Sequence, residues 1–308
     1  MIQSPNIVFS SALTVIAVGY LLKSMRIIRE YDAKYISKFL MYTTFPAMLL
    51  GTMSRVELNS ELLWMPVISF CFGCLGSFIG YLYFKREEEP RNRGILTMGC
   101  TGFNLSLFAF PLIEGIWGMQ GIAYAALFDL GNSFINLALN YGVGSSLSEM
   151  KKEGKILPYI TKKILSFPPF QAMMIGLGMN LMDWDFHPYF AGIIDTVAAG
   201  NKPIVLLLMG IYFSIRLPKE LFIKVLKVMG IRYLLGFGIG FGIYFLTDFD
   251  TYFKNLALIF LILPAGLTLI AYSDLLKFNT KIAGAIVNFT MVLSFTLMWI
   301  LVYAFNMV

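Results

Sequence analysis

The sequence is short of charge, of histidine and of cysteine. Asp, Glu, Lys and Arg make up 14% of its 308 residues, and it holds one histidine and three cysteines. A soluble globular domain carries about 25% charged residues, so we do not expect water to be the main solvent around this chain. The single histidine, His187, leaves no histidine cluster for zinc and no second histidine for acid–base catalysis. No acidic pair or Gly-x-Ser-x-Gly turn falls within the apolar segments either, so we expect no enzyme, no bound metal and no cofactor.

The spacing of the cysteines and the distribution of positive charge argue against a thiol redox protein and a nucleic-acid-binding protein. Cys71 and Cys74 form a Cys-x-x-Cys pair inside an apolar run rather than beside a βαβ pattern, so we interpret them, with Cys100, as small packing residues. The formal charge of +6 is spread over short connections and forms no single basic patch. We therefore expect no nucleic-acid partner.

What the chain has in abundance is apolar sequence. Hydrophobic residues make up 58% of it, and the mean hydropathy is +0.73. Apolar runs of about 20 residues, the length that crosses a bilayer as a helix, recur along the whole chain. We predict an all-α membrane protein with ten transmembrane helices, at 5–22, 39–54, 62–84, 94–113, 119–145, 166–182, 188–215, 228–247, 255–273 and 282–306.

The basic residues test this division independently of hydropathy. Of the 24 Lys and Arg residues, 20 fall on the odd-numbered connections and only Arg55 and Lys254 on the even ones. Lys202 and Arg232 lie within spans. Because positive charge is retained in the cytoplasm, we predict a multi-pass protein of the cell (cytoplasmic) membrane with both termini outside.

Five spans per half would place two copies of one unit upside down relative to each other. We predict a first repeat at 1–145, a cytoplasmic linker at 146–165 and a second repeat at 166–308. The linker is either an amphipathic helix on the cytoplasmic leaflet or a solvated connection.

Three patterns recur in the two halves: a proline followed by a glycine in spans 2 and 7, small residues four apart in spans 3 and 8, and a proline inside spans 4 and 9. The matched residues are Pro46 and Gly51 with Pro203 and Gly210, Gly76 and Gly80 with Gly236 and Gly240 or Gly238 and Gly242, and Pro111 with Pro264.

The prolines of spans 4 and 9 carry the most information. A proline removes a backbone donor, and unpaired backbone is tolerated at membrane depth only where it meets protein or lines a cavity. Interrupted helices at corresponding positions of two halves indicate a binding site near the midplane. The alternative interpretation of Pro111 and Pro264 is two ordinary kinks.

Residues 104–111, Asn-Leu-Ser-Leu-Phe-Ala-Phe-Pro, with Gly118 and Gly121 after them, resemble the fourth-helix signature of the auxin efflux carrier family. Segments 201–210, 264–272 and 287–290 resemble its seventh span and its last two spans in order and spacing. Ser106 and Ala109 stand where the family usually has glycines, which stiffens the break slightly.

The resemblance implies a 5+5 inverted-repeat fold like that of bile-acid/sodium symporters, with discontinuous helices 4 and 9 crossing at their breaks and one bundle moving as an elevator. Family substrates are organic anions, auxin in plants and malate-like carboxylates in bacteria. Without the long cytoplasmic loop of many plant members, the chain resembles a bacterial malate permease. The alternatives are a passive anion channel and a cation-coupled symporter of an amphipathic, bile-acid-like anion.

Half-helices that start after Pro111 and Pro264 would aim two N-termini at one place and hold a carboxylate there. We predict a substrate site without any metal, and we interpret Asn140 as an interhelical hydrogen bond. The predicted substrate-binding residues are Asn104, Pro111, Asn132, Asn136, Pro264, Ala265 and Lys202.

Charged residues within spans need a partner or water. Asp129 and Asp195 are candidates for ion coupling or charge pairing, although Asp195 lies near the outer end. Lys202 either attracts the anion or replaces a coupling cation, or it pairs with an acid such as Asp129. We predict that Arg232 extends to the interface. The expected partners are a small organic anion, the lipid bilayer, a sodium ion or a proton, and a second copy in a homodimer.

Overall fold

A computed structural model describes residues 4–87, 89–148, 164–214 and 219–307, and the regular structure in these ranges is helical. Most of the predicted linker, residues 149–163, lies outside the described residues. The prediction of an amphipathic or solvated linker therefore stays a prediction.

The helices of the first half are interrupted by short 3-10 and π-helical turns. The α-helices are α1 (Pro5–Ser24), α2 (Glu30–Tyr42), α3 (Thr44–Met53), α4 (Trp64–Tyr83), α5 (Pro90–Gly99), α6 (Phe110–Phe134) and α7 (Asn140–Ser146). The 3-10 turns are Ser60–Leu63 and Phe84–Arg86, and the π-helical turns are Leu105–Ala109 and Ile135–Leu139.

The described α-helices of the second half are α8 (Pro168–Leu181), α9 (Pro188–Ala199), α10 (Asn201–Tyr212), α11 (Lys219–Leu246), α12 (Thr251–Leu261), α13 (Thr268–Leu275) and α14 (Thr280–Ala304). Across the described part of the chain, six helical stretches are long and apolar enough to cross a membrane. They are Pro5–Ser24, Ser60–Arg86, Leu105–Ser146, Pro188–Tyr212, Leu221–Leu246 and Thr280–Ala304.

The longest stretch, Leu105–Ser146, covers 42 residues and is divided at Gly118. Gly118 has φ +60° and ψ −152°, a conformation that side chains with a Cβ rarely adopt. This turn falls between the residues predicted as spans 4 and 5. Predicted spans 2, 4, 7 and 9 are each interrupted. The length criterion misses the short pieces of spans 2 and 9 and the 14-residue α8 of span 6, and it joins the second part of span 4 to span 5, so it finds six stretches in the described ranges. The prediction of ten transmembrane helices stays a prediction.

Two of these breaks contact each other. Thr44 begins α3 and Asn201 begins α10, and the Thr44 hydroxyl donates a hydrogen bond of 3.2 Å to Oδ1 of the buried Asn201. Pro46 and Pro203 are each the third residue of their helix. A proline in the first turn removes no intrahelical hydrogen bond, so these prolines follow a break rather than cause one inside a helix.

The helices pack in two groups. One group consists of α1, α2, α3, α8, α9 and α10, and the other of α4 to α7 and α11 to α14. In the first group α1 and α10 approach closely, because Gly19 and Gly210 each lie against a backbone carbonyl of the opposite helix. Glycine permits this backbone contact because it has no Cβ.

The second group uses glycines in the same way. Gly76 of α4 lies against the backbone carbonyl of Cys100, and Gly236 of α11 lies against that of Leu261. The predicted close packing is confirmed for these two residues, and both contact the end of the helix that precedes a break. It is wrong for Gly238 and Gly242, where an added Cβ would have no atom within 4 Å.

Candidate substrate-binding site

The interruption between α5 and residue 105 contacts the interruption between α12 and α13. The backbone amide of Asn104 donates to the carbonyl oxygen of Pro264 at 2.9 Å, and that of Gly266 donates to the carbonyl of Gly102 at 3.3 Å. The two segments pair as short antiparallel strands would, at one bridge. The predicted meeting of two broken helices is therefore confirmed.

Side chains from neighbouring helices complete this pairing. Oδ1 of Asn132 accepts from the Phe103 amide at 2.7 Å, and its Nδ2 donates to the Phe103 carbonyl at 3.1 Å. The Thr290 hydroxyl accepts from the Ala265 amide at 3.0 Å. Unpaired backbone groups cost several kcal/mol each in hydrocarbon. Asn132 and Thr290 thus stabilise the non-helical backbone of both interruptions.

The location predicted for the first break is wrong. Helical structure resumes at Leu105, six residues before Pro111, and Pro111 is the second residue of α6 within a continuing helix. The π-helical turn Leu105–Ala109, which comes just before Pro111, has i→i+5 rather than i→i+4 hydrogen bonds. The helix continues through this turn although Pro111 has no N–H to donate. In the second half Pro264 does lie in the interruption, and α13 begins at Thr268.

Asn104 caps the half-helix that begins at Leu105. Its Oδ1 accepts a hydrogen bond of 3.4 Å from the Leu107 amide, as an N-cap side chain does. Asn104 is 6% exposed. Its side-chain Nδ2 makes no hydrogen bond to another residue of the described ranges, which leaves a donor for a ligand beside the cap.

A cavity of about 380 Å³ lies beside the crossing. Its wall contains the first residues of one half-helix, from Leu105 to Leu107, and the residues that lead into the other, from Gly266 to Thr268, where α13 begins. Ser106, one of the departures from the family signature, is part of this wall. The further polar residues of the lining are Ser37, Asn104, Asp129, Asn132, Ser133 and Asn136.

The charge of this cavity comes from backbone and from one acid. Each helix N-terminus carries about half a positive charge through its unpaired N–H groups. Within the described residues the lining contains no Lys, Arg or His, and Asp129 is its acidic side chain. Oδ1 of Asp129 accepts from Nδ2 of Asn132 at 2.7 Å. The arrangement offers donors to an anion without any side-chain cation.

Asn136, which lines the cavity, connects the first interruption to the second half-helix, and its Nδ2 donates to the Phe103 carbonyl at 3.5 Å. Its Oδ1 accepts a hydrogen bond of 3.0 Å from the Thr268 hydroxyl, and a Cβ at Gly102 would overlap this oxygen. Oδ1 of Asn140 accepts from the Thr101 hydroxyl at 2.6 Å. The interpretation of Asn140 as an interhelical hydrogen bond is therefore confirmed.

Lys202 and Asp195, two of the predicted site residues, lie away from the cavity lining. Nζ of Lys202 lies beside Gly115, and its acidic neighbour is Glu114 rather than Asp129 among the described residues. Asp195 is an exposed residue whose carboxylate binds Arg55 at 2.8 Å. Pro264 and Ala265 contribute backbone to the crossing itself.

The prediction for Arg232 is wrong. Its residue surface is 1% exposed, and its guanidinium donates to the carbonyl oxygens of Gly99 at 3.2 Å, of Leu263 at 3.0 Å, and of Thr101. These carbonyls belong to the ends of α5 and α12, where partial negative charge accumulates. A helix end provides a partner that an apolar sequence pattern does not reveal.

Arg232, Thr290 and Thr268 place polar side chains at the crossing, and we did not predict these three as part of the site. The position of Arg232 within an apolar span was a signal, because charged residues at membrane depth usually mark function. Thr290 stands in segment 287–290, which carries part of the family resemblance. Thr268 stands likewise in segment 264–272, which carries another part of the resemblance.

The family of membrane transport proteins matches residues 11–303 of this chain. An uncharacterised transporter of Methanothermobacter thermautotrophicus is 26% identical over 231 residues, which are 73% of each chain. An uncharacterised transporter of Methanocaldococcus jannaschii is 26% identical over 299 residues, 90% of this chain and 91% of the relative. The chain therefore belongs to the membrane transport protein family, the auxin efflux carriers.

Proposed function

We propose that this protein is a secondary transporter that carries small organic anions, malate-like carboxylates or auxin-like weak acids, across the cell membrane. The observation that supports this most is the cavity in which the N-termini at Leu105 and Thr268 open side by side. Helix N-termini bind carboxylates through backbone N–H groups and the helix dipole. Half-helix N-termini have this role in transporters with discontinuous helices.

The size and lining of the cavity fit a small solute. Its volume of about 380 Å³ lies near the lower end of the range for small-molecule sites, which begins at about 300 Å³. Asn104 and Asn136 offer amide groups, and Met41, Leu105 and Phe167 offer apolar surface for the carbon skeleton. A carboxylate with a short organic body matches this combination better than an inorganic ion does.

We propose an elevator mechanism within a ten-helix inverted repeat. The cavity lies between the two helix groups, since Ser37 and Met41 come from α2 and the crossing residues come from the other group. Movement of one group against the other would carry a bound anion with the crossing. The equivalent contacts of Gly76 and Gly236 with the ends of two interrupted helices support the duplication.

Asp129 is the group that we propose for coupling to protons. An ionised Asp129 and a bound anion would repel each other in one cavity, so binding of the anion is favoured when Asp129 carries a proton. The cavity lining and the adjoining pocket formed by α3, α6 and α8 supply no other titratable or charged side chain among the described residues. The anion and the proton would therefore move in the same direction.

Flux measurements in proteoliposomes test the function. Radiolabelled malate, other dicarboxylates and indole-acetate are supplied under imposed pH, sodium and voltage gradients. A carrier gives saturable uptake and counterflow of at least one of these anions. Fast, non-saturating flux without counterflow would indicate the channel alternative instead, and no flux of any organic anion would contradict the proposal.

A further inference from the structure

Arg232 binds both interrupted helices at the side of the crossing where their first halves end. Its guanidinium donates to carbonyls on either side, Gly99 and Thr101 after α5 and Leu263 after α12. Its Cζ lies 4.7 Å from the centroid of the Phe103 ring, and Phe103 in turn lines the cavity. Within the described residues Arg232 has no carboxylate partner.

A buried cation without an acidic partner needs another source of negative charge, because a bare charge at membrane depth is strongly unfavourable. The C-terminal end of a helix carries about half a negative charge. α5 and α12 both end at the guanidinium, so together they offer about one negative charge to one positive group. The electrostatic balance is complete without an added ion.

In transporters with discontinuous helices, the C-terminal ends of half-helices and the unwound carbonyls are the groups that coordinate a coupling sodium ion. In this chain the corresponding carbonyls of Gly99, Thr101 and Leu263 already bind Arg232. We propose that Arg232 is a permanent, covalently attached substitute for a coupling cation, so that the crossing binds no sodium ion and transport is independent of sodium. This inference rests on the proposed transport function.

The arrangement also assigns Arg232 a positioning role. Three carbonyls from two separate interruptions share one guanidinium, and a planar group with several fixed donors is suited to this. Loss of the guanidinium would separate the interruptions and leave the carbonyls unpaired. The vacated position would then accept a small cation from solution.

The first experiment uses the wild-type protein in proteoliposomes. Counterflow of radiolabelled malate, or of radiolabelled indole-acetate if that is the anion transported, is measured with sodium on both sides and after complete replacement of sodium by potassium or choline, at constant ionic strength and zero membrane potential. We expect equal rates in the three salts. A rate that requires sodium, or saturates with sodium, would overturn the proposal.

The second experiment removes the cation. Arg232→Ala is expected to lower counterflow by about tenfold or more, and guanidinium at millimolar concentration is expected to restore part of the rate. Lys227→Ala is the matched control, since Lys227 is an exposed basic residue of the same helix. Arg232→Lys keeps the charge but not the fork of donors, and we expect an intermediate rate.

Thermal stability in detergent gives a readout that needs no substrate. Guanidinium should raise the unfolding temperature of Arg232→Ala and not that of the wild type, and sodium should not raise that of the wild type. These results would support the role of Arg232 even if no tested anion is transported, so the two proposals fail separately. Counterflow by Arg232→Ala at the wild-type rate, or a variant that guanidinium does not stabilise, would contradict the inference.

Discussion

The backbone amide of Asn104 donates a 2.9 Å hydrogen bond to the carbonyl oxygen of Pro264, and this bond joins the two halves of the chain where each has left its helix. Pro264 has no N–H to donate, and its carbonyl oxygen accepts from the other interruption. The same bond fixes Asn104 at the N-cap position of the half-helix that begins at Leu105. The anion site therefore depends on a contact between the halves.

Replacing Asn104 tests whether its side chain binds the substrate. Asn104→Ala removes an amide that caps the half-helix, and we expect uptake to fall about tenfold or more, since a hydrogen bond to a charged group contributes about 1.5–3 kcal/mol. Initial rates of anion uptake in proteoliposomes measure this. Asn180→Ala is the control, because Asn180 donates to the Val56 carbonyl outside the cavity. Equal rates for Asn104→Ala and the wild type would remove Asn104 from the site.

Replacing Asp129 tests proton coupling. In the wild type, uptake at clamped membrane potential should rise as the external pH falls, because protonation of Asp129 removes its repulsion of the anion. Asp129→Asn retains a polar group of the same shape and cannot titrate. We expect its uptake to be insensitive to pH and its exchange of internal for external anion to persist. An unchanged pH profile in this variant would show that another group carries the proton.

A pair of glycines on α11 tests the close packing of the interrupted helices. A side chain at Gly236 would overlap the backbone carbonyl of Leu261, whereas one at Gly238 would meet open space. We expect Gly236→Leu to lower stability by about 1–3 kcal/mol, as overpacking does, and Gly238→Leu to change it little. The unfolding temperature in detergent measures both. Equal effects of the two substitutions would contradict this packing.

Replacing Lys202 tests whether this residue contributes to anion binding. Because its Nζ lies beside Gly115 and near Glu114, away from the cavity lining, Lys202→Gln should leave the KM for the anion unchanged and lower the thermal stability. Concentration-dependent uptake and melting of the purified variant measure the two effects. A rise in KM of about tenfold, which corresponds to about 1.4 kcal/mol, would return Lys202 to the substrate site.

Gly102 shows why the crossing requires particular residues. A Cβ at this position would overlap Oδ1 of Asn136, the atom that accepts from Thr268. We expect Gly102→Ala to abolish uptake while the protein still reaches the membrane. Gly142→Ala is the control, since an added Cβ there would have no atom within 4 Å. Normal uptake by Gly102→Ala would mean that Asn136 can move without loss of function.

The sequence by itself determined that the chain is a helical membrane protein and to which family it belongs. Hydropathy over about 20 residues is a local property, and the bilayer imposes it on every span. The break at Pro264 was also local, since a proline removes its own backbone donor. Asn132 and Asn136 are four residues apart, a spacing that places them on one helix face, and both do line the cavity as predicted substrate-binding residues.

Only the tertiary structure decided where the first interruption lies and how Arg232 is neutralised. The break at residues 100–104 depends on pairing with residues 264–266, and no property of the segment around Pro111 reports that contact. Arg232 is stable in the interior because the ends of α5 and α12 converge on it. The energy of a buried polar group depends on partners distant in sequence, and these exist only after the two halves have packed.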